Sequence, residues 1–296
     1  MTNSQKNALF KAGVLAEALP WLLKFQDSIV VIKFGGNAMV NKDLLTQFAQ
    51  DVVFLKLAGL KPVVVHGAGP QITEALSQAN IKSEFKNGLR VTDSESIKII
   101  KKVLMQVQTE LVNEINNLRH FAVGVSGDEN KTIEVEKKSL IQDQVEIDLG
   151  LVGEIQKIDA SQILSIIDKG QIPVLSCLGT DSTGQIYNIN ADQGASAVAK
   201  FLNAQKFVLL TDITGLLSNF PDESSLIETI SISELEDLIP SLDKGMRPKM
   251  EACLDAVKNG VSRAHVIDGR KSHALLVEVF TDSGTGTMVV RDKNEN

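Results

Sequence analysis

The sequence predicts an α/β protein whose mostly parallel central sheet is covered by helices on both faces. Three observations predict it. Short apolar runs recur at Ser28–Phe34, Pro62–Val65, Ile172–Leu178, Phe207–Leu210 and Ala264–Ile267, and runs apolar on both faces suit strands buried on both sides. Segments with helical spacing fall between them, at 44–55, from Pro70, and at Asp93–Leu118, Ala191–Leu202, Lys249–Asn259 and Ser272–Phe280. Such alternation is the pattern of strands joined by crossover helices. Several strand ends carry glycines or polar residues, such as Gly35-Gly36 and Gly67-Ala68-Gly69, which feed the next helix.

Other elements follow in order. Leu15, Ala18, Leu19 and Leu22 recur at helical spacing in the stretch Asn7–Phe25, and Pro20 should kink that helix. The pattern leaves two packings open: against its own domain, or as an arm on another subunit. From Ile133 to Ile155 the apolar period drops to two, which predicts exposed antiparallel hairpins. A boundary near Leu202 would divide the chain into an N-terminal helix (1–26), a first lobe (27–202) and a second lobe (203–296).

At 296 residues, 43% hydrophobic and 23% charged, the chain has an ordinary globular composition. The net charge of −7 argues against nucleic acid or an anionic membrane as main partner. No apolar run reaches the roughly 18 residues of a membrane span. Glu17 and Lys11 interrupt any signal-peptide core, so a cytoplasmic protein is expected. Cys177 and Cys253 lack metal-ligand spacing and read as small buried hydrophobes.

In open α/β sheets ligands bind beyond the carboxyl ends of the strands. Lys33 is costly in an apolar strand unless its ammonium meets a partner, and Gly35-Gly36 lets an anion approach the backbone. It is either an anion ligand or a tolerated edge lysine. His66-Gly67-Ala68-Gly69-Pro70-Gln71 lies where a strand feeds a helix N-terminus, a natural anion site or simply a tight turn. Ile72 stands where a dinucleotide fingerprint needs glycine, and no P-loop is present. Asn190 and Asp192 suit the start of a helix, which leaves Asn188 unexplained. Arg90, in Asn87–Thr92, could grip a carboxylate or make a surface ion pair. Lys249 follows Pro248 near a helix start, where positive charge is unfavourable unless an anion binds too.

The ordered set K-x-G-G, H-G-x-G-P, N-G-L-R-V-T, N-x-N-A-D, L-T-D-x-x-G and G-M-x-P-K resembles the amino-acid kinase family, and N-G-L-R-V-T with N-I-N-A-D resembles its acetylglutamate kinases. The resemblance implies a two-lobed, three-layer α/β/α sandwich with N-acetyl-L-glutamate in the first lobe and ATP in the second. It implies that Lys33 and Lys249 flank the transferred phosphoryl group while Asp192 orients both. Gly36, Ala68, Gly69, Arg90, Asn188 and Asn190 would bind substrate. Gly35, Gly36, Asp212, Thr214, Gly215, Leu216, Ser241 and Met246 would bind ATP, with Mg²⁺ held by phosphates and water rather than by a protein cage. Ala68 replaces the family's usual middle glycine, which is harmless if only its N–H is used.

The stretch from His273 through Glu278 to Gly284 resembles the signature of arginine-inhibited members, which also carry a kinked N-terminal helix. This implies L-arginine at His273, Glu278 and Gly284, and a hexamer built as a trimer of dimers. The alternative is that His273 caps a helix and Glu278 is solvated. Trp21 falls where the family often has tyrosine. A PII-type nitrogen-signalling partner is not readable from the residues. Two rivals stay open: another kinase of the family, acting on carbamate, aspartate, glutamate or UMP, and an arginine-sensing oligomer without catalysis.

Overall fold

A computed structural model of the chain describes residues 2–142, 145–281 and 284–292. Helix α1 (Asn3–Glu17) opens on a capping box between Thr2 and Gln5. The chain turns at Ala18 and restarts as α2 (Leu19–Phe25), with Pro20 in its first turn. The proline ring would meet the carbonyl four residues back, at Ala16, so the first helix stops at Glu17. No residue of α1 is buried, and Leu9, Phe10, Val14 and Leu15 face solvent. Packing of α1 on its own domain is therefore not what this chain does.

Next come β1 (Ile29–Phe34), α3 (Lys42–Leu57) and β2 (Lys61–His66), a strand–helix–strand unit whose helix starts where Asn41 Oδ1 accepts from two backbone N–H groups. α4 (Gly69–Gln78) leads to a small hairpin, β3 (Phe85–Lys86) and β4 (Leu89–Arg90). Its turn residues, Asn87 and Gly88, both have positive φ, as the tight hairpin turn requires. α5 (Ser96–Leu118), β5 (Ala122–Ser126), β6 (Ile133–Gln142), β7 (Val145–Ile158) and α6 (Ser161–Asp168) follow. Then come β8 (Ile172–Ser176), β9 (Leu178–Thr180), β10 (Ile186–Asn188), α7 (Ala191–Phe201) and β11 (Lys206–Thr211). The chain ends through β12 (Thr229–Ser231), α8 (Ile232–Leu238), α9 (Arg247–Lys258), β13 (Arg263–Asp268), α10 (Ala274–Phe280) and β14 (Thr287–Val290).

Eight strands form one sheet in the order β12-β14-β13-β11-β1-β2-β8-β5. The six from β13 to β5 run parallel, and β14 pairs antiparallel to β13. Alternation along the central strands builds the two outer layers. Val31, Val63, Val65, Phe207 and Leu209 pack with Ala195, Val198, Met250 and Val257 of α7 and α9. Val30, Ile32, Val64, Val208 and Leu210 pack with Phe48, Val52, Ile100 and Leu111 of α3 and α5. The expected three-layer α/β/α sandwich is the fold observed.

The period-two segment differs from its expectation in one respect. β6 and β7 form a single hairpin that closes with β9 and β10 into a small barrel; Ile133 and Val135 pack into the main core, and Leu149 and Val152 pack with Leu89 of β4. The run Ile172–Leu178 is not one strand. It divides at Cys177, with β8 in the main sheet and β9 in the barrel. Both halves are buried, so apolarity continues across the point where the chain changes sheets.

Candidate active site

The site begins at the C-terminal ends of β1 and β2, opposite the start of α7. Lys33 shares the face of Val31 and points toward α7. Asn190 caps that helix, its Oδ1 accepting from the N–H groups of Asp192 and Gln193. This fixes Asp192 in the first turn. Lys33 Nζ lies 3.0 Å from Asp192 Oδ1, an ion pair without hydrogen-bond alignment, and Lys249 Nζ donates to Oδ2 at 2.9 Å. Burial alone would raise the Asp192 pKa, but the two ammonium groups outweigh it and hold the carboxyl well below the usual range. Residues distant in the chain, 33, 192 and 249, thus share one buried charge cluster.

Beside this cluster lies a cavity of about 220 Å³, and the six candidate substrate ligands Gly36, Ala68, Gly69, Arg90, Asn188 and Asn190 all line it. Arg90 is not a surface ion pair. Only 8% exposed, it donates to Gly69 O at 3.1 Å, to Thr73 Oγ1 at 2.9 Å and to Ser83 Oγ, and its guanidinium lies 4.5 Å from the Phe85 ring centre. Ala68 has φ −154°, so alanine fits there without strain. Gly36 is different: φ is +74°, and a Cβ there would lie 2.8 Å from the Asp212 carboxylate. A Cβ on Gly35 would lie 3.0 Å from Lys33 Nζ. The glycine pair therefore leaves room for the Lys33 ammonium and ties the end of β1 to the loop after β11.

The candidate nucleotide residues follow β11 and precede α9. Asp212 reaches the Gly36 backbone as described, and Thr214 Oγ1 lies 3.4 Å from Glu223 Oε1. A Cβ on Gly215 would meet Leu226 at 2.7 Å and Thr287 Oγ1 at 2.8 Å. Leu216 donates its N–H to Thr287 Oγ1 at 2.8 Å, while its side chain is buried in the core, so any nucleotide contact there runs through the backbone. Ser241 Oγ donates to Leu238 O at 2.7 Å. Gly245 and Met246 give their N–H groups to Asp243 Oδ1, which shapes the loop before Lys249, and the Met246 side chain is buried. The tip of the β3–β4 hairpin touches this loop: a Cβ on Gly88 would lie 3.4 Å from Pro248.

Of the three effector candidates, Glu278 and Gly284 meet at one carboxylate, while His273 engages Asp51. Glu278 is buried rather than solvated. Its Oε1 pairs with His265 Nδ1 at 2.6 Å and its Oε2 accepts from Thr285 N at 2.9 Å. Gly284 closes on the same carboxylate, where a Cβ would stand 2.9 Å from Oε1. His273 sits at the N-cap of α10 without a side-chain capping bond and turns to Asp51 of α3, Nδ1 to Oδ1 2.6 Å. Lys206, which sequence reasoning passed over, completes the Glu278 cluster: its Nζ reaches Glu278 O at 3.4 Å and lies 4.5 Å from the Phe25 ring of α2. Burial pushes the Lys206 pKa down to about 8. His265 and Lys206 were detectable by the signal that marked Lys33, a basic residue inside an apolar strand.

Comparison with known proteins agrees with the geometry. The model of the amino acid kinase family matches residues 28–268. An acetylglutamate kinase of Paenarthrobacter aurescens is 49% identical over 100% of this chain and 97% of its own. One of Corynebacterium glutamicum is 51% identical over 95% of this chain and 89% of its own. The N-acetylglutamate synthase of Neisseria gonorrhoeae, solved with coenzyme A and N-acetyl-glutamate, superposes with a TM-score of 0.85 at 25% identity, and the match spans 95% of this chain and 63% of that one. Carbamate kinase from Giardia lamblia bound to AMP-PNP shares the fold, at TM-score 0.66 and 18% identity, over 90% of this chain and 99% of its own. The chain therefore belongs to the amino acid kinase family of phosphotransferases, in its acetylglutamate kinase branch.

Proposed function

We propose that the chain transfers the γ-phosphoryl group of ATP to the side-chain carboxylate of N-acetyl-L-glutamate, giving N-acetyl-L-glutamyl 5-phosphate and ADP, the second step of arginine synthesis. The observation that carries this reading is the pair of ammonium groups on the Asp192 carboxylate at the edge of a cavity that also holds Arg90. The acceptor carboxylate, with a reference pKa of about 4.3, is already ionised at neutral pH, so no general base is needed. The obstacle is the approach of two anions. Lys33 and Lys249 neutralise charge as it spreads over the phosphoryl oxygens, and Asp192 keeps both aimed. Arg90, already fixed by its hydrogen bonds, suits a substrate carboxylate.

ATP would lie along Gly35, Gly36, Asp212, Thr214, Gly215 and the loop that carries Ser241 and Met246. In this division residues 27–202 bind acetylglutamate and 203–296 bind nucleotide. Mg²⁺, when bound with ATP, supplies further charge neutralisation. We assign that ion to the phosphates and water rather than to protein side chains.

Feedback inhibition by L-arginine belongs to the same proposal. Glu278, His265 and Gly284 enclose a carboxylate able to meet a guanidinium, and Lys206 links that cluster to α2. A second structure of the Neisseria synthase, solved with coenzyme A and L-arginine, superposes with a TM-score of 0.83 at 26% identity. We assign Glu278 and Gly284 to the effector and leave His273 as the partner of Asp51. The solvent-facing apolar side of α1 supports interlaced helices in a hexamer in the cytoplasm. A PII-type protein remains a partner to be tried by co-purification.

A panel of acetylglutamate, glutamate, aspartate, carbamate and UMP in a coupled ADP-release assay tests the reading. Turnover is expected with acetylglutamate. Equal or greater turnover with another acceptor would assign the chain a different substrate. A rise in melting temperature with arginine alone, with no turnover on any acceptor, would favour the sensing oligomer.

A further inference from the structure

We infer that His66 is a positioning residue that aims one backbone N–H of the glycine turn into the substrate cavity, an inference that rests on the kinase reading above. His66 ends β2 and is wholly buried. Its Nδ1 lies 3.3 Å from the carbonyl oxygen of Gly67. A carbonyl oxygen only accepts, so Nδ1 must carry the proton. Burial depresses the ring pKa to about 4, so near neutral pH the imidazole is uncharged and its Nε2 is bare. That Nε2 is buried and has no partner among the described residues. A chain that needed only packing would do better with an apolar side chain at this place.

The reason lies in the next peptide plane. The Gly67 carbonyl and the Ala68 N–H belong to one planar trans unit and point in opposite directions. A donor that holds the carbonyl on one side therefore fixes the N–H on the other. Ala68 lines the substrate cavity, and its N–H meets no acceptor among the described residues. The turn is also held at both of its ends. Gly67 N donates to Phe34 O at 3.0 Å, and Gly69 O accepts from Arg90 at 3.1 Å. Those bonds leave the 67–68 plane free to rotate, and the His66 ring restrains it. The ligand of the aimed N–H is an anionic oxygen of the acceptor carboxylate or of the phosphoryl group it receives.

The test compares His66→Leu with His66→Asn. Leucine removes both ring nitrogens, while the asparagine amide keeps a donor near the place of Nδ1. Wild-type turnover with acetylglutamate is measured first, and its absence would overturn the kinase reading and this inference with it. With turnover present, His66→Leu is expected to keep the wild-type melting temperature or exceed it, yet to lose about tenfold in kcat/KM for acetylglutamate. His66→Asn is expected to recover most of that loss. A His66→Leu enzyme with full kcat/KM, or an asparagine variant no better than leucine, would overturn the inference alone. Solid-state ¹⁵N spectra of sedimented, histidine-labelled wild type and His66→Asn give a second readout. The wild type should show, at pH 7, a ring with protonated Nδ1 and bare Nε2 beyond the one that His265 supplies through Glu278, and that signal should vanish in His66→Asn. Identical spectra, or loss of a ring in another tautomer, would equally overturn it.

Discussion

At the scale of single residues, the chain concentrates buried charge where the chemistry is proposed and keeps it paired. Asp192 is the common partner of Lys33 and Lys249, so Asp192→Asn leaves two poorly solvated ammonium groups without a counter-charge. That change is expected to cost about 3 kcal/mol of stability, measured by urea unfolding, because removing one member of a buried ion pair strands the others. His66 gives a pH signature. Its folded pKa, about 4, lies below the unfolded value of about 6.5, so as pH falls the unfolded chain takes up the proton first. Protonation of this ring therefore costs the folded protein nothing above pH 6.5 and roughly 3 kcal/mol of stability in all as pH falls from 6.5 to 4. His66→Leu should flatten unfolding free energy across that window. Burial also pushes the Cys177 thiol up to about 12, and that of Cys253 higher still. Neither should react with a thiol reagent at pH 8 until the protein unfolds.

At the scale of elements, glycines mark where two segments come close. Gly36→Ala would force alanine to φ +74° and press its Cβ on the Asp212 carboxylate. The expected cost is about 1 kcal/mol from the backbone alone, read in urea unfolding, together with a higher KM for ATP. The central strands β1, β2, β11 and β13 were legible because each is built on an apolar run broken by at most one basic residue. The barrel was only half legible. Period two marked β6 and β7, but nothing in Cys177 marks the change of sheet between β8 and β9. Short elements such as β12, β14, α6 and α8 escaped because a few residues hold too little period to read. At the site, Lys33 was legible as a costly residue in an apolar strand and Arg90 as a basic residue in a glycine-containing segment, whereas Asp192 read from its own setting only as an acid at a helix start, and its role came from the family resemblance. The turn of His273 toward Asp51 was not, since that partner lies far away in the chain on α3.

At the scale of the whole molecule, the sheet is continuous from β12 to β5, so both ligands would meet across one frame rather than between separate modules. What the frame leaves uncovered is α1, whose Leu9, Phe10, Val14 and Leu15 lie in solvent. Removing residues 1–25 is expected to reduce a hexamer to dimers in light scattering and to weaken inhibition by arginine while turnover persists. Glu278→Gln is expected to raise the arginine concentration needed for half inhibition about tenfold or more, through loss of one charged partner for the guanidinium.

The cluster of Lys33, Asp192 and Lys249 is answerable to one kinetic comparison: ADP released by wild type, Lys33→Ala and Lys249→Ala, each with and without acetylglutamate. Wild-type release should depend on the acceptor, and each variant should lose about 10²- to 10³-fold in kcat. A wild type indifferent to acetylglutamate, or either variant turning over at close to the wild-type rate, would contradict the account.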